Sequence, residues 1–175
     1  KIIKILDYGG GFGLGFYYLR QNKSFDKIDY SIVEKNEIVD KFKKLNPNIK
    51  YKSHLNKREL YDIINFCSVL QYVKDWKIFI NNISKTKTKY IYFSDMFVGN
   101  IKSFVSLQNY YKSKIPHWFI NFNEFNNYLH SLGYILIQKK KMITKRLNKK
   151  TTLQMNNFSK KNRIKYTLNL LYKKR

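Results

Sequence analysis

The stretch Leu6-Asp7-Tyr8-Gly9-Gly10-Gly11-Phe12-Gly13 decides how this chain is read. It follows a short apolar run, Ile2 to Leu6, which reads as a first β-strand ending at an acid. It precedes Leu14 to Gln21, which is apolar enough for a helix. Four glycines in five positions weaken any regular element. They are expected where backbone must turn tightly or approach a ligand without a Cβ in the way. In an open α/β sheet, ligands bind at the carboxyl ends of the strands, where this loop would lie. The helix behind the loop would offer free N–H groups to a carboxylate.

Downstream, Ile28 to Val33 reads as a second strand that ends at Glu34, 21 residues after Gly13. A carboxylate there can accept hydrogen bonds from both hydroxyls of a ribose. Strand, glycine loop, helix, strand and terminal acid, in that order, describe a seat for a nucleoside-bearing ligand. The phosphate-binding rivals fail. In the dinucleotide pattern G-x-G-x-x-G/A, Gly9 and Gly11 lead to Leu14, and Gly11 and Gly13 lead to Phe16. No G-x-x-x-x-G-K-[ST] loop is present.

The remaining elements continue the alternation. Asn36 to Leu45 carries Ile38, Val39, Phe42 and Leu45 at helical spacing. Ile49 to Lys52 reads as a short third strand and Tyr61 to Cys67 as a buried fourth, with Cys67 a small core residue. Trp76, Phe79, Ile80 and Ile83 form the stripe of the next helix, and Tyr90 to Phe93 is a fifth strand ending near Asp95. Asn123 is expected to cap a helix from Glu124 to Ser131 that Gly133 terminates. Tyr134 to Gln138 and Arg163 to Tyr172 read as the last two strands. No helical pattern joins them, so an antiparallel pair at one edge is expected. The expected fold is α/β: a Rossmann-like sheet of about seven strands, mostly parallel with the last antiparallel, and helices on both faces. All 175 residues are taken as one domain, with the basic stretch Lys139 to Lys161 a loosely structured connection.

The formal net charge is +24, which by itself suggests a polyanionic partner. Nearly all the basic residues are Lys, only five are Arg, and Ala is absent. Lys, Asn, Ile, Tyr and Phe share AT-rich codons, so compositional bias is the favoured source of the charge. Bidentate phosphate readout would call for more Arg. One cysteine excludes an internal disulfide and a cysteine-based zinc cluster, and no metal site is expected. No apolar run spans a membrane and no signal peptide is visible, so a cytoplasmic location is expected. The chain starts at Lys1 rather than Met, and an N-terminal extension is expected.

Asp7-x-Gly9-x-Gly11-x-Gly13 resembles the first motif of the class I S-adenosylmethionine (SAM)-dependent methyltransferases. Ser31-Ile32-Val33-Glu34, Ser68-Val69-Leu70-Gln71-Tyr72-Val73 and Ile115-Pro116-His117-Trp118-Phe119 narrow the resemblance. They look most like methyltransferases of bacterial surface-polysaccharide gene clusters. The similarity runs from residue 1 to about residue 140. It implies SAM as cofactor. Asp7, Gly9, Gly10, Gly11 and Gly13 would surround its amino-acid part and Glu34 would hold the ribose. His54 and Leu55 would border the adenine, and Ser68, Val69, Leu70 and Gln71 would line the cofactor beside the substrate.

A sugar-hydroxyl acceptor would profit from a general base. His117, in a loop-like stretch before the last helix, is the first candidate, and Asp95 the second. Trp118 and Phe119 could stack on a sugar ring or pack in the core. His130, inside the last helix, is expected to be structural. Base-directed nucleic-acid methylases would place Pro before a nucleophilic Cys, or Pro-Pro-aromatic after strand four. Here the sequence is Asn65-Phe66-Cys67-Ser68. The expected function is therefore methyl transfer to a small-molecule or glycan hydroxyl in surface-polysaccharide biosynthesis. The alternative is a basic nucleic-acid-binding or RNA-modifying protein on the same fold, using aromatics interleaved with Lys. A third reading docks a polybasic tail, residues 140 to 175, on anionic membrane.

Overall fold

A computed structural model of the chain describes residues 2–22, 27–142, 145–146, 149–150 and 153–175. The main sheet has seven strands in the order β3-β2-β1-β4-β5-β12-β9. These are β1 (Ile3–Tyr8), β2 (Ile28–Val33), β3 (Lys50–Lys52), β4 (Ile63–Cys67), β5 (Tyr90–Met96), β9 (Tyr134–Met142) and β12 (Thr167–Lys174). All neighbours are parallel except β12, which runs antiparallel to both β5 and β9. This is the expected Rossmann-like sheet with its antiparallel closing strand.

Helices cover both faces, and the strand alternation explains why. Ile5, Tyr30, Ile32 and Tyr51 bury one side against Phe16 of α1 (Leu14–Arg20) and Phe42 of α2 (Asn36–Lys43). Ile64, Phe66, Ile91, Phe93, Leu170 and Tyr172 bury the other against α3 (Trp76–Ser84) and α4 (Phe122–Ser131). Phe93 lies between Phe66, stacked at 5.3 Å, and Phe125, edge-on at 5.2 Å.

The segment before α4 differs from expectation. Instead of a loop it forms a hairpin, β7 (Phe104–Tyr110) against β8 (Ser113–Asn121), and the short β6 (Val98–Gly99) pairs with the end of β8. The turn residues Tyr111 and Lys112 carry no Gly or Asn signal, and Pro116 argues against a central strand. β8 tolerates Pro116 because β6 pairs only with Ile120 and Asn121, leaving that side of the proline unpaired. Phe119 anchors the hairpin in a third cluster with Ile101, Met155 and Ile164.

Other boundaries move as well. Asn121, not Asn123, caps α4; its side chain accepts a hydrogen bond from Glu124 N at 2.9 Å. α2 stops at Lys43, and Leu45 is exposed. Cys67 is exposed, because Phe66 takes the covered face and the alternation turns the next side chain outward.

Within 139–161 the described residues include strands where a loosely structured connection is expected. β9 runs through Lys139 to Met142, Lys145–Arg146 (β10) pairs with Lys149–Lys150 (β11), and Met155 is buried. Residues 143–144, 147–148 and 151–152 of that stretch lie outside the described residues. Nor do residues 140–175 form a tail, since β12 is inserted between β5 and β9. No helix among the described residues is long and apolar enough to cross a membrane.

Leu170 has no exposed surface. Leu170→Ala is expected to lower unfolding free energy by about 2–5 kcal/mol. Removing residues 163–175 should abolish cooperative unfolding altogether. Urea titration followed by circular dichroism checks both, and an unchanged midpoint for either variant contradicts this topology.

Candidate functional site

The register of the parallel strands brings the candidate residues to one edge. Tyr8 lies opposite Val33 and Phe66, and Cys67 opposite Ser94. The glycine loop, Glu34 and Ser68 therefore leave the sheet at the same level, beside Asp95 near the end of β5.

Gly9 has φ +72°, and a Cβ there would sit 2.6 Å from Val69 Cγ2. Its N–H donates to Val33 O at 2.8 Å, tying the loop to the end of β2. Gly11 has φ +52° and nothing within 4 Å of where its Cβ would be. Its N–H donates to Glu34 Oε1 at 3.2 Å, and Lys35 N donates to Oε2 at 3.1 Å. The carboxylate at the end of β2 thus stands directly over the glycine turn.

Beneath the loop, Asp7 is buried. Its Oδ2 accepts from Tyr30 OH and its Oδ1 from Asn65 Nδ2, both at 2.7 Å. Burial pushes its pKa up, and the two donors partly offset this. Asp7 therefore buttresses the loop from below, joining β1 to β2 and β4. A second brace comes from Asn46 and Tyr51, which both donate to Phe12 O, at 3.2 and 3.1 Å. Asn46 is buried in the loop between α2 and β3. Its part in shaping the glycine turn has no signal in the sequence beyond its being an Asn beside Pro47.

A cleft of about 340 Å³ opens beside the loop, lined by Tyr8, Gly9, Glu34, Ser53, Val69 and Tyr72, among others. The sequence-predicted residues divide around it. Gly9, Glu34 and Val69 line it. His54 does not; it is exposed, and its Nδ1 is 3.2 Å from Ser53 Oγ, the serine being the residue at the cleft. Leu55 packs against the main core, and Leu70 is wholly within it. Gln71 is also buried, with Oε1 lacking a partner among the described residues. The 3-10 turn at Leu70–Tyr72 directs these two side chains inward and leaves Tyr72 facing out. Tyr8 and Tyr72 are cleft residues that motif reading missed, although Tyr72 is part of the Ser68 to Val73 stretch.

Ser68 and Asp95 both have left-handed backbone, φ +52° and +53°, an uncommon state for residues with side chains. Ser68 Oγ donates to Asp95 Oδ2, and Thr167 Oγ1 donates to Oδ1 at 2.6 Å. The Asp95 carboxylate is thus held by hydroxyls from β4's end and β12.

His117 sits in strand β8, not in a loop. It is buried, with its ring 4.5 Å from Phe97, 4.8 Å from Phe119 and 5.3 Å from Tyr72. Its Nδ1 has no hydrogen-bond partner among the described residues. Burial holds its pKa below the ordinary 6.5, against smaller upward pulls from its own backbone and from Asp95. Tyr72 touches both the cleft and this histidine. Trp118 Nε1 donates to Lys74 O at 3.1 Å, and Phe119 is core, so neither is presented as a free stacking platform. His130 is exposed at the end of α4, its Nε2 2.5 Å from Arg175 Nη2. No group of three or more His, Cys, Asp or Glu among the described residues could hold a metal ion.

Neither a protein-family model nor a curated protein matches the chain. Solved structures do. One is a Listeria monocytogenes protein assigned provisionally as a SAM-dependent methyltransferase. It has TM-score 0.69 and 10% identity over 99% of this chain and 91% of that one. A SAM-dependent methyltransferase from Mesorhizobium loti gives 0.66 and 10%, covering 98% and 91%. One from Clostridium acetobutylicum gives 0.60 and 14%, covering 99% and 84%. At such identities the likeness establishes the fold.

Two measurements check this site. Gly9→Ala meets both backbone strain and Val69, whereas Gly11→Ala meets strain alone. Each should lose about 1–2 kcal/mol from the left-handed backbone, and Gly9→Ala roughly 1–3 kcal/mol more from overlap. Equal urea midpoints would contradict the geometry. For His117, the unfolded chain binds more protons than the fold between the depressed pKa and 6.5. Stability should therefore fall as pH drops below about 6.5, and His117→Gln should flatten that slope. An unchanged slope would contradict a buried neutral imidazole.

Proposed function

We propose that this chain is a SAM-dependent methyltransferase whose acceptor is a hydroxyl of a sugar, or of another small molecule or glycan, in surface-polysaccharide biosynthesis. The observation that carries the reading is Glu34 Oε1 on Gly11 N at the mouth of the open cleft. Bare backbone and a carboxylate on one crevice suit a nucleoside without phosphates, and the fold is that of SAM-dependent methyltransferases. The surface-polysaccharide setting rests on the resemblance at Ser31 to Glu34, Ser68 to Val73 and Ile115 to Phe119.

The residues present fit the cofactor. Glu34 has lone pairs enough for two ribose hydroxyls. Gly11 leaves open space above the loop. Tyr8, Val69 and Tyr72 give the cleft apolar walls. SAM, when bound, supplies an electrophilic methyl group on a sulfonium centre. The chain's own work is alignment and proton transfer. Burial keeps the His117 imidazole neutral near pH 7, the form in which a histidine takes a proton from an acceptor's hydroxyl. Asp95, whose charge favours the protonated ring, stabilises the imidazolium that results. The hydroxyls of Ser68 and Thr167 keep that carboxylate in place.

Calorimetry with SAM, its demethylated product and NAD tests the reading. SAM and its product should bind and NAD should not. Glu34→Ala should weaken SAM binding by roughly 1–3 kcal/mol, while His117→Ala should leave it unchanged and abolish turnover. NAD binding as tight as SAM, or unaltered SAM affinity in Glu34→Ala, contradicts the assignment.

A further inference from the structure

A larger cavity, about 490 Å³, lies at the same edge of the sheet, beside the start of α4. Three cations line it: Lys139 from β9, and Arg163 and Lys165 from the segment before β12. No Asp or Glu is among its lining residues, and among the described residues none of the three cations has a carboxylate partner. Like charges around one concavity repel, and an anion between them relieves that repulsion.

Lysines are so abundant here that one beside a cavity means little. The arginine is more specific, being one of five in the chain. Arg163 Nε donates to Phe158 O at 2.7 Å and Nη2 to Asn156 O at 3.0 Å. Two backbone carbonyls thus fix the guanidinium plane, and Nη1 remains for a ligand. Lys139 Nζ is 3.4 Å from the centroid of the Phe122 ring, which holds that ammonium at the wall. Asn100, Asn121 and Asn123 also line the site, though the Asn121 side chain is engaged as the α4 cap. A rigid guanidinium, two ammonium groups and no competing acid suit a doubly charged phosphoryl group.

Neither His117 nor Asp95 lines this cavity, but each is one residue removed from its lining through a neighbour in the chain. Its lining residue Val98 follows Phe97, which packs on His117. Its lining residue Leu168 follows Thr167, which bonds Asp95. We propose that this cavity binds a phosphoryl group of the methyl acceptor, so that the acceptor is a phosphorylated sugar or a similar phosphate-bearing hydroxyl compound. The identification of the ligand as the acceptor rests on the methyl-transfer reading; the capture of a phosphoryl group does not.

Calorimetry of the full chain with inorganic phosphate, glucose 1-phosphate and glucose, at one fixed low ionic strength, tests this. Both phosphates should bind, glucose 1-phosphate the more tightly, and glucose should not. Lys139→Gln/Lys165→Gln should weaken both phosphates at least about tenfold, since each ammonium removed supplies a charge-assisted hydrogen bond. Lys85→Gln/Lys87→Gln, the same charge change elsewhere, should leave them unaltered. Unchanged SAM binding in the cavity variant would show that it is folded. Absence of phosphate binding, or equal losses in both variants, overturns the site. Weaker binding of glucose 1-phosphate than of inorganic phosphate overturns its assignment to an acceptor. If wild type captures phosphate as described but not SAM, methyl transfer falls and the anion site stands.

Discussion

The parallel register of β1 with β2 and β4 sets where everything else can be. With Tyr8 level with both Val33 and Phe66, the glycine turn, Glu34 and Ser68 emerge side by side. A slip of one residue would turn Ile5 and Ile32 out of their cluster and move Asp7 away from Tyr30 and Asn65. Asp7 is the polar pin of this arrangement. Its buried carboxylate is tolerated because donors from both neighbouring strands satisfy it. They can do so in one register alone. The floor under the glycine loop and the position of the carboxylate above it are thus consequences of the same strand alignment.

On this frame the molecule divides its carboxyl edge into two regions. The cleft beside the loop is walled by Tyr8, Val69 and Tyr72 and has one acid, Glu34, at its mouth. The cavity beside α4 is cationic and free of acids. Two constrained groups belong to neither lining: Asp95, held by two hydroxyls on strained backbone, and His117, enclosed by aromatic rings. Left-handed residues with side chains are retained where surrounding structure over-determines them, commonly at functional sites. The hairpin β7–β8 carries His117 to this position, and its core anchor at Phe119 makes the placement rigid.

The central fold was readable because its signals are local. Apolar runs end at Asp7, Glu34 and Asp95, glycines punctuate the first turn, and helical stripes alternate with strands. Other features depend on contacts that no local pattern shows. The hairpin lacks a glycine turn and contains Pro116, so its strands look like a loop. Which residues of Ser68 to Val73 face the cleft depends on one 3-10 turn, which buries Leu70 and Gln71 and exposes Tyr72. Lys-rich composition hid the strand through Lys139 to Met142, because a strand whose lysines are exposed has the composition of a loop. Ser53 replaces His54 at the cleft through the path of a bend after β3, which sequence does not encode in any motif.

The crevice between the glycine turn and Glu34 is the proposed seat of an adenosyl group. The most direct measurement is a crystal structure of the chain grown with the demethylated product of SAM. It should show the nucleoside in the cleft by Tyr8 and Val69, with the Glu34 carboxylate accepting from both ribose hydroxyls. A nucleoside bound elsewhere, or one in the cleft with Glu34 making no contact to the ribose, would contradict it.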